Sequence, residues 1–247
     1  MERSRLLAID IGNSRISIGV FDGNKKVERI DLPASVKTID SLVGETKKAD
    51  FSFVASVVPK LSECLLKVLK NPRSHFITYK DIPLQYKRVK NIERVGVDRL
   101  INGYCAYSSC QRESIVVGLG TATIVDGVTS KGEYLGGMIL PGIGTMLKSL
   151  HENTAMLPHV SFSPTSCDIA VDTASAMMLG VQSATLGGIK EAIDKLKNVI
   201  PNARVVITGG WSEIFANLFE FDHEVNGNLT LQGIYRCGLK IFESRNL

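Results

Sequence analysis

The chain has 247 residues, of which 44% are hydrophobic and 22% are charged, with a formal net charge of +4. Such a composition is typical of a folded globular protein long enough for two domains, and it excludes a disordered chain and a disulfide scaffold. The lysines and arginines are spread along the chain, whereas nucleic-acid-binding proteins usually concentrate them in a basic patch. No nucleic-acid partner is therefore expected.

The five cysteines and four histidines lack the spacing of metal ligands, so they predict buried or isolated side chains and no metal cluster. No segment approaches the roughly 18 consecutive apolar residues needed to cross a bilayer. No long apolar segment precedes the first predicted strand either. The sequence therefore predicts a cytoplasmic protein without a membrane partner.

Strands and helices alternate in the first half of the chain. The predicted elements are, in order, strands at Leu6–Asp10, Ile16–Phe21, Val27–Leu32 and Phe51–Val58, and helices at Lys60–Leu69 and Arg99–Ser109. A glycine turn, Gly12–Ser14, joins the first two strands. This layout indicates an α/β fold that opens with antiparallel strands.

The second half repeats that layout. Its predicted elements are strands at Ile115–Val117, Thr123–Val128, Tyr134–Leu140 and Arg204–Thr208, two helical runs within Asp172–Leu196 separated by Gly187 and Gly188, and a helix at Leu229–Phe242. Another glycine turn, Gly118–Thr121, again joins the first two strands. Self-similarity over half a chain indicates duplication. The predicted domains are residues 1–112 and 113–247.

The two glycine turns could bind phosphate groups. Successive backbone N–H groups in a turn form an anion-binding concavity, and the carboxylate of Asp10 could hold Mg²⁺ beside Gly12–Arg15. A plain hairpin turn is the alternative for each turn taken alone. Neither turn has the G-x-x-x-x-G-K-[ST] pattern, so a P-loop is excluded.

A carboxylate and a guanidinium stand side by side in Gly96-Val97-Asp98-Arg99, at a predicted helix start. Asp98 could accept the proton of an attacking hydroxyl while Arg99 binds an anionic substrate, as phosphoryl transfer requires. Capping of the helix by Asp98 is the alternative.

These segments together resemble the type III pantothenate kinases of the actin-like ATPase superfamily. The matching segments, in the family's order, are AIDIGNSRISIGVFDG from Ala8, SVVP from Ser56, GVDRL from Gly96, GTAT from Gly120, GGMILPGI from Gly137, NTAMLP from Asn153, DTASAMMLG from Asp172, ITGG from Ile207 and LTLQGIYRCG from Leu229. They extend over nearly the whole chain. The resemblance implies a duplicated ribonuclease-H-like or actin-like ATPase fold of two similar domains, each a mixed sheet flanked by helices.

The resemblance also implies a reaction and its site. The family phosphorylates pantothenate to 4′-phosphopantothenate with ATP, at the first step of coenzyme A biosynthesis, as a homodimer that uses Mg²⁺ and K⁺ or NH₄⁺. The residues implied in ATP binding are Asp10, Ile11, Gly12, Asn13, Ser14, Arg15, Ile16, Ser17 and Thr121, with Asp10 serving Mg²⁺ through the phosphates. Those implied in pantothenate binding are Val89, Gly96, Val97, Asp98, Arg99 and Thr173, with Asp98 as the proton acceptor.

Two departures from the family pattern leave questions open. The family's second turn usually begins with an Asp that holds the monovalent cation, and this chain has Gly118 there. Backbone carbonyls could still hold potassium, or a Lys or Arg could replace its charge. The family's proline shortly before Gly96 is also missing, since the chain reads Val89, Lys90, Asn91 and Ile92. The alternatives are a non-catalytic nucleotide-binding relative that acts as an accessory factor, or a kinase for another small hydroxyl compound.

Overall fold

A computed structural model describes residues 5–23, 25–68 and 73–244 of the chain. The chain forms two compact units, and each contains one five-stranded mixed sheet. Unit 1 comprises Met1–Ser109 together with Asn228–Leu247, and unit 2 comprises Cys110–Gly227. None of the described helices is both long enough and apolar enough to cross a membrane.

The regular elements alternate between strand and helix as the sequence predicts. In chain order they are β1 (Arg5–Ile11), β2 (Arg15–Asp22), β3 (Lys25–Pro33), α1 (Ile39–Lys47), β4 (Phe51–Ser56), α2 (Pro59–Val68), β5 (Ser74–Phe76), α3 (Val97–Cys110), β6 (Ser114–Leu119), β7 (Ala122–Val128), β8 (Tyr134–Pro141), α4 (Ile143–Glu152), α5 (Thr173–Lys197), β9 (Arg204–Thr208), α6 (Ser212–Ala216), β10 (Glu224–Val225) and α7 (Leu229–Ser244). Short 3₁₀ turns lie at Val36–Thr38, Tyr79–Asp81 and Ile92–Arg94. Leu69, the predicted end of the helix that begins at Lys60, lies outside the described residues.

The two sheets have the same topology. The strand order is β3-β2-β1-β4-β5 in unit 1 and β8-β7-β6-β9-β10 in unit 2. In each sheet the first three strands are antiparallel neighbours, and the last two are parallel to the first. The parallel strands need crossovers, which the intervening helices provide. The two glycine turns in the sequence predict this repeated sheet topology.

Helix α7 belongs to unit 1, although it closes the chain. Its glycines allow the close approach: a Cβ on Gly238 would overlap the ring of Phe53, and a Cβ on Gly233 would lie 2.5 Å from Cγ2 of Ile101. The sequence-based division at residue 112 put this helix with the second half. The structure differs from that division because hydrophobic spacing identifies a helix but not the sheet on which the helix packs.

Helix α5 is continuous over 25 residues, so the prediction of two helical runs is wrong. Glycine lowers helix propensity by about 1 kcal/mol relative to alanine, which made Gly187 and Gly188 resemble a break. Gly188 instead lets the helix pass close to β8, because a Cβ there would lie 2.5 Å from Cδ2 of Leu140. Residues on both sides, such as Val181 and Ile189, are buried in the core of unit 2.

Candidate active site

The first glycine turn is a tight connection between β1 and β2. Asp10 pairs with Ser17 across the two strands, and the backbone N–H of Gly12 donates a 2.9 Å hydrogen bond to the carbonyl of Arg15. Asn13 and Ser14, at the tip, are exposed. The turn therefore presents backbone and polar groups to solvent beside the Asp10 carboxylate.

Two residues of the predicted ATP loop have buried side chains. Ile11 and Ile16 pair with each other and are both 0% exposed. They pack in the core of unit 1 against α1 and α2. Their side chains cannot contact a nucleotide, so any contribution to ATP binding is limited to their backbone.

The Asp10 carboxyl has an unusual charge environment. Burial, followed by the negative charge of Asp98, raises the pKa of Asp10 from 3.8 to about 7. The guanidinium groups of Arg29 and Arg15 act in the opposite direction. The carboxyl is thus poised between its neutral and ionised forms near neutral pH, and a nearby cation would favour ionisation.

Asp31 on β3 organises the polar side chains next to Asp10. The Ser17 hydroxyl donates to Asp31 Oδ1 at 2.6 Å, and Arg29 Nε donates to both Asp31 oxygens at 3.2 and 3.1 Å. Arg15 lies 3.7 Å from the same carboxylate, with its side chain 45% exposed. Burial raises the pKa of Asp31, but the hydrogen bonds from Ser17 and Arg29 outweigh it, so the pKa of Asp31 is lowered overall.

Asp98 lies in the first turn of α3, within unit 1. Its Oδ1 accepts a 2.9 Å hydrogen bond from the backbone N–H of Arg99. A Cβ on Gly96 would lie only 2.6 Å from that oxygen, so glycine leaves the space that the carboxylate occupies. Negative charge is favoured at a helix N-terminus. The local fold therefore holds the Asp98 carboxyl at the start of α3.

The other predicted pantothenate residues of unit 1 lie in or beside the segment before α3. Val89 follows a loop, and its backbone N–H donates to the Tyr86 carbonyl at 3.3 Å. Val97 and Arg99 begin the helix and are partly buried. In the segment that lacks the family's proline, Asn91 adopts a left-handed conformation with φ 52° and precedes a 3₁₀ turn.

The second glycine turn, between β6 and β7, is packed against the start of α4. The carbonyl of Thr121 accepts hydrogen bonds from the Gly142 backbone N–H at 3.1 Å and from the Thr145 hydroxyl at 2.7 Å. A Cβ on Gly142 would overlap the backbone of Gly120 and Thr121. Thr121 itself is an exposed residue, on a backbone that these hydrogen bonds hold in place.

The position of the family's cation ligand lacks a side-chain oxygen. Gly118 is on β6, paired with Ile124 of β7. A Cβ at Gly118 would lie 3.8 Å from Cβ of Ile124, which is an ordinary contact distance. The strand therefore has room for a larger residue, yet it supplies no carboxylate, and the residues present do not fit the family's K⁺ site.

Thr173 is the first residue of α5 and is exposed. The preceding Asp172 is engaged in capping: its carboxylate accepts from the Ser175 backbone N–H at 3.0 Å and from the Ser175 hydroxyl at 2.7 Å. This cap, typical of aspartate, fixes the helix start and leaves Thr173 accessible.

The polar side chains around Asp10 in unit 1 suit Mg²⁺ that is bound to the phosphates of a nucleotide. In the described part of the chain, no three side chains of His, Cys, Asp or Glu come together as a metal cluster. A single carboxylate with phosphate oxygens and water is, however, the usual environment of Mg²⁺ at nucleotides. Asp10, whose ionisation is opposed by burial and by Asp98, suits that arrangement because the cation would offset both effects.

The sequence reasoning missed Arg29, Asp31 and Asn228. Arg29 and Asp31 occupy alternate positions of β3, opposite in charge and on the face away from Ile30 and Leu32. That alternation was visible in the predicted strand Val27–Leu32. Their relation to Asp10 becomes visible only once the three antiparallel strands are paired in register.

Comparisons with known proteins agree on one protein family. The sequence model of type III pantothenate kinases matches residues 6–195. A type III pantothenate kinase of Myxococcus xanthus (strain DK1622) is 31% identical over 260 residues, covering 98% of this chain and 98% of the relative.

Solved structures match over nearly the full length. A Campylobacter jejuni protein assigned to the Baf family of transcriptional activators superposes with a TM-score of 0.64 at 24% identity, covering 98% of this chain and 100% of that one. Ta0583, an archaeal actin homologue, superposes with a TM-score of 0.55 at 9% identity, covering 96% and 99%. At such identities the likeness shows the fold, and the predicted actin-like fold is confirmed.

Proposed function

The chain belongs to the type III pantothenate kinase family, whose reaction is the ATP-dependent phosphorylation of pantothenate in coenzyme A biosynthesis, and we propose how its residues carry out that reaction. The observation on which the proposal depends is the Asp98 carboxylate at the start of α3, close enough to Asp10 to raise its pKa. Two carboxylates with different surroundings can serve two roles. Asp98 accepts a proton and Asp10 faces the metal-bound phosphates.

The proposed chemistry is a direct transfer. The primary hydroxyl oxygen of pantothenate attacks the γ-phosphorus of ATP, a new O–P bond forms, and the bond from the γ-phosphorus to the β–γ bridging oxygen breaks to release ADP. The hydroxyl proton passes to the carboxylate of Asp98. Phosphoryl transfer depends mainly on positioning and charge neutralisation, so the remaining residues act by binding.

ATP binding involves both glycine turns in this proposal. Backbone N–H groups of the first turn and the exposed side chains of Asn13, Ser14 and Arg15 contact phosphate oxygens, and Thr121 provides a further contact. Ser17 contributes to ATP binding only indirectly, because its hydroxyl donates a hydrogen bond to Asp31. Bound Mg²⁺, held by Asp10 through water or directly, would neutralise phosphate charge during transfer.

Pantothenate binding involves the segment around α3. Val89, Gly96, Val97 and Arg99 line the site, and the Arg99 guanidinium suits the substrate carboxylate; Thr173 adds a contact. The active form is a homodimer in the cytoplasm without nucleic-acid or membrane partners. Because Gly118 lacks a carboxylate, the reaction proceeds without a K⁺ or NH₄⁺ ion at that position.

The test is a direct assay. Purified protein is incubated with pantothenate and Mg·ATP, with and without K⁺, and 4′-phosphopantothenate is followed by mass. We expect product in both conditions. No product from folded protein that binds ATP would favour the non-catalytic relative or another hydroxyl substrate.

The assay has a matched pair of variants. Asp98→Asn removes the proton acceptor and should lower turnover by about 100-fold or more, while binding of a non-hydrolysable ATP analogue persists. Glu93→Gln removes a nearby exposed carboxylate, in the 3₁₀ turn before α3, and should leave turnover unchanged. If Asp98→Asn were as active as Glu93→Gln, Asp98 could not be the proton acceptor.

A further inference from the structure

A row of polar side chains crosses the antiparallel strands of unit 1. Asp10 pairs with Ser17, and Ser17 pairs with Asp31. Directly paired residues of antiparallel strands project to the same face, so the three side chains share one face. The alternate residues of these strands project to the other face and form an apolar core. The row is therefore a polar stripe that begins at the carboxylate of the first glycine turn.

Hydrogen bonds extend this row to the start of helix α7. Arg29 binds Asp31 with its Nε and Nη2 groups, at 3.1 to 3.2 Å, and its Nη1 donates to Asn228 Oδ1 at 3.1 Å. The carbonyl of Asn228 accepts a 2.9 Å bond from the Gln232 backbone N–H, which opens the helix. One guanidinium thus connects strand β3 with the first turn of α7.

A glycine in β2 leaves space for α7 next to the hydrogen bond between Arg29 and Asn228. Gly19 pairs with Arg29, and a Cβ on Gly19 would lie 3.4 Å from Leu231 of α7. The helix therefore comes close to the sheet at this point. A Cβ on Gly19 would also lie 2.9 Å from the ring of Phe21, so a larger residue there would force a side chain or the helix to shift.

Stability alone gives a poor account of this network. Partly buried ion pairs contribute little net stability, because desolvation offsets much of their attraction, and apolar residues often serve as well. Polar networks that are fully hydrogen-bonded do fix one geometry. The Ser17–Asp31–Arg29–Asn228 network lies next to the one carboxylate that faces the phosphates in the proposed function.

We propose that Arg29 and Asp31 are positioning residues for nucleotide binding: they fix strand β2 and the start of α7 around Asp10, so that the first glycine turn meets ATP in a preformed arrangement. The inference rests on the proposed role of that turn in ATP binding. Preformed contacts improve affinity because less ordering is needed when the ligand binds.

Two substitutions of opposite charge separate positioning from electrostatics. Arg29→Gln removes a positive charge and Asp31→Asn removes a negative one, but each breaks the same network. The dissociation constant of Mg·AMPPNP, measured by titration calorimetry, should rise about tenfold in both variants, as expected for loss of a charged hydrogen bond. The KM for ATP should rise in parallel, with a smaller change in kcat. A purely electrostatic role predicts weaker binding for Arg29→Gln and tighter binding for Asp31→Asn.

Two further variants complete the test. Arg5→Gln makes the same charge change at the far end of β1, where Arg5 lies 3.8 Å from Glu45, and should leave nucleotide affinity unchanged. Arg29→Lys keeps the charge but not the paired hydrogen bonds, so most of the defect should persist. Thermal unfolding confirms that each variant is folded at the assay temperature.

The outcomes are distinct from those of the kinase assay. Wild-type affinity in both Arg29→Gln and Asp31→Asn, opposite shifts in the two, or full rescue by Arg29→Lys would each overturn the inference. A wild-type chain that binds Mg·AMPPNP but forms no phosphopantothenate would refute the proposed reaction and leave the binding comparison intact. A wild-type chain that binds no Mg·AMPPNP would overturn both.

Discussion

Replacing Asp10 by asparagine should stabilise the free protein, because Asp10 is ionised at the expense of folding stability. The pKa of Asp10 rises from 3.8 to about 7 in the folded protein. Between these values the folded chain binds a proton that the unfolded chain does not. Stability therefore falls as the pH rises from about 4 to 7, and the Asp10→Asn substitution should remove that dependence.

The magnitude follows from the shift. One pKa unit corresponds to about 1.4 kcal/mol, so the rise from 3.8 to about 7 sets an upper limit of about 4 kcal/mol. Asp10 as a residue is only partly buried, which reduces the effect, and we expect a gain of about 2–4 kcal/mol at pH 8 for the Asp10→Asn variant. At about 2–4 °C for each kcal/mol in a chain of this size, the midpoint of thermal unfolding should rise by roughly 5–15 °C.

The assay is thermal unfolding at pH 5 and pH 8 without nucleotide. At pH 5 the Asp10 carboxyl is protonated in the folded chain but ionised in the unfolded chain, so about a third of the gain should already be present, and the gain should be clearly larger at pH 8. Asp31→Asn is the matched control on the same face of the sheet. The lowered pKa of Asp31 stabilises the fold above its unfolded pKa and loses that effect in acid, so this variant should be less stable at pH 8. A pH-independent difference for Asp10→Asn, or none at pH 8, would refute the reasoning.

Two further substitutions test the second glycine turn. Gly118→Asp places a carboxylate where the family binds its cation, and the 3.8 Å distance to Ile124 leaves space for it. Formation of phosphopantothenate should become dependent on K⁺ in this variant but not in the control Gly118→Asn. An identical K⁺ response in both variants would contradict the assignment. Gly142→Ala introduces a Cβ that overlaps the backbone of Gly120 and Thr121, so the unfolding midpoint should fall and the KM for ATP should rise several-fold. Unchanged ATP kinetics in a folded Gly142→Ala variant would show that the turn tolerates displacement.

The sequence predicted the architecture well because local patterns determine most of it. Alternating apolar residues and the turns after Asp10 and Leu119 predict the antiparallel strands of each unit, and the repeat of that layout predicts the duplication. The match of the type III pantothenate kinase model and the actin-like structures confirm the family and the fold. What local patterns could not supply was long-range packing. Neither the continuity of α5 over Gly188 nor the place of α7 on the first sheet follows from spacing.

The candidate site was predicted unevenly for the same reason. Asp10 and Asp98 were identifiable because each stands in a short motif with a clear chemical role. Ile11 and Ile16 were included with the ATP loop although the alternation of the strand turns their side chains into the core. Arg29 and Asn228 are separated by 199 positions and share a hydrogen bond, a relation that only the folded chain reveals. The assigned roles of the site residues stay predictions until they are assayed.

The return of α7 to unit 1 has a consequence for synthesis on the ribosome. Unit 2 is one continuous segment, whereas unit 1 is complete only when Asn228 and the helix after it have been synthesised. Until then the surface that Leu231, Ile234 and Cys237 cover in the finished protein is exposed, which favours chaperone binding or aggregation. A chain truncated before Leu229 would therefore lack the helix that packs on the sheet carrying Asp10.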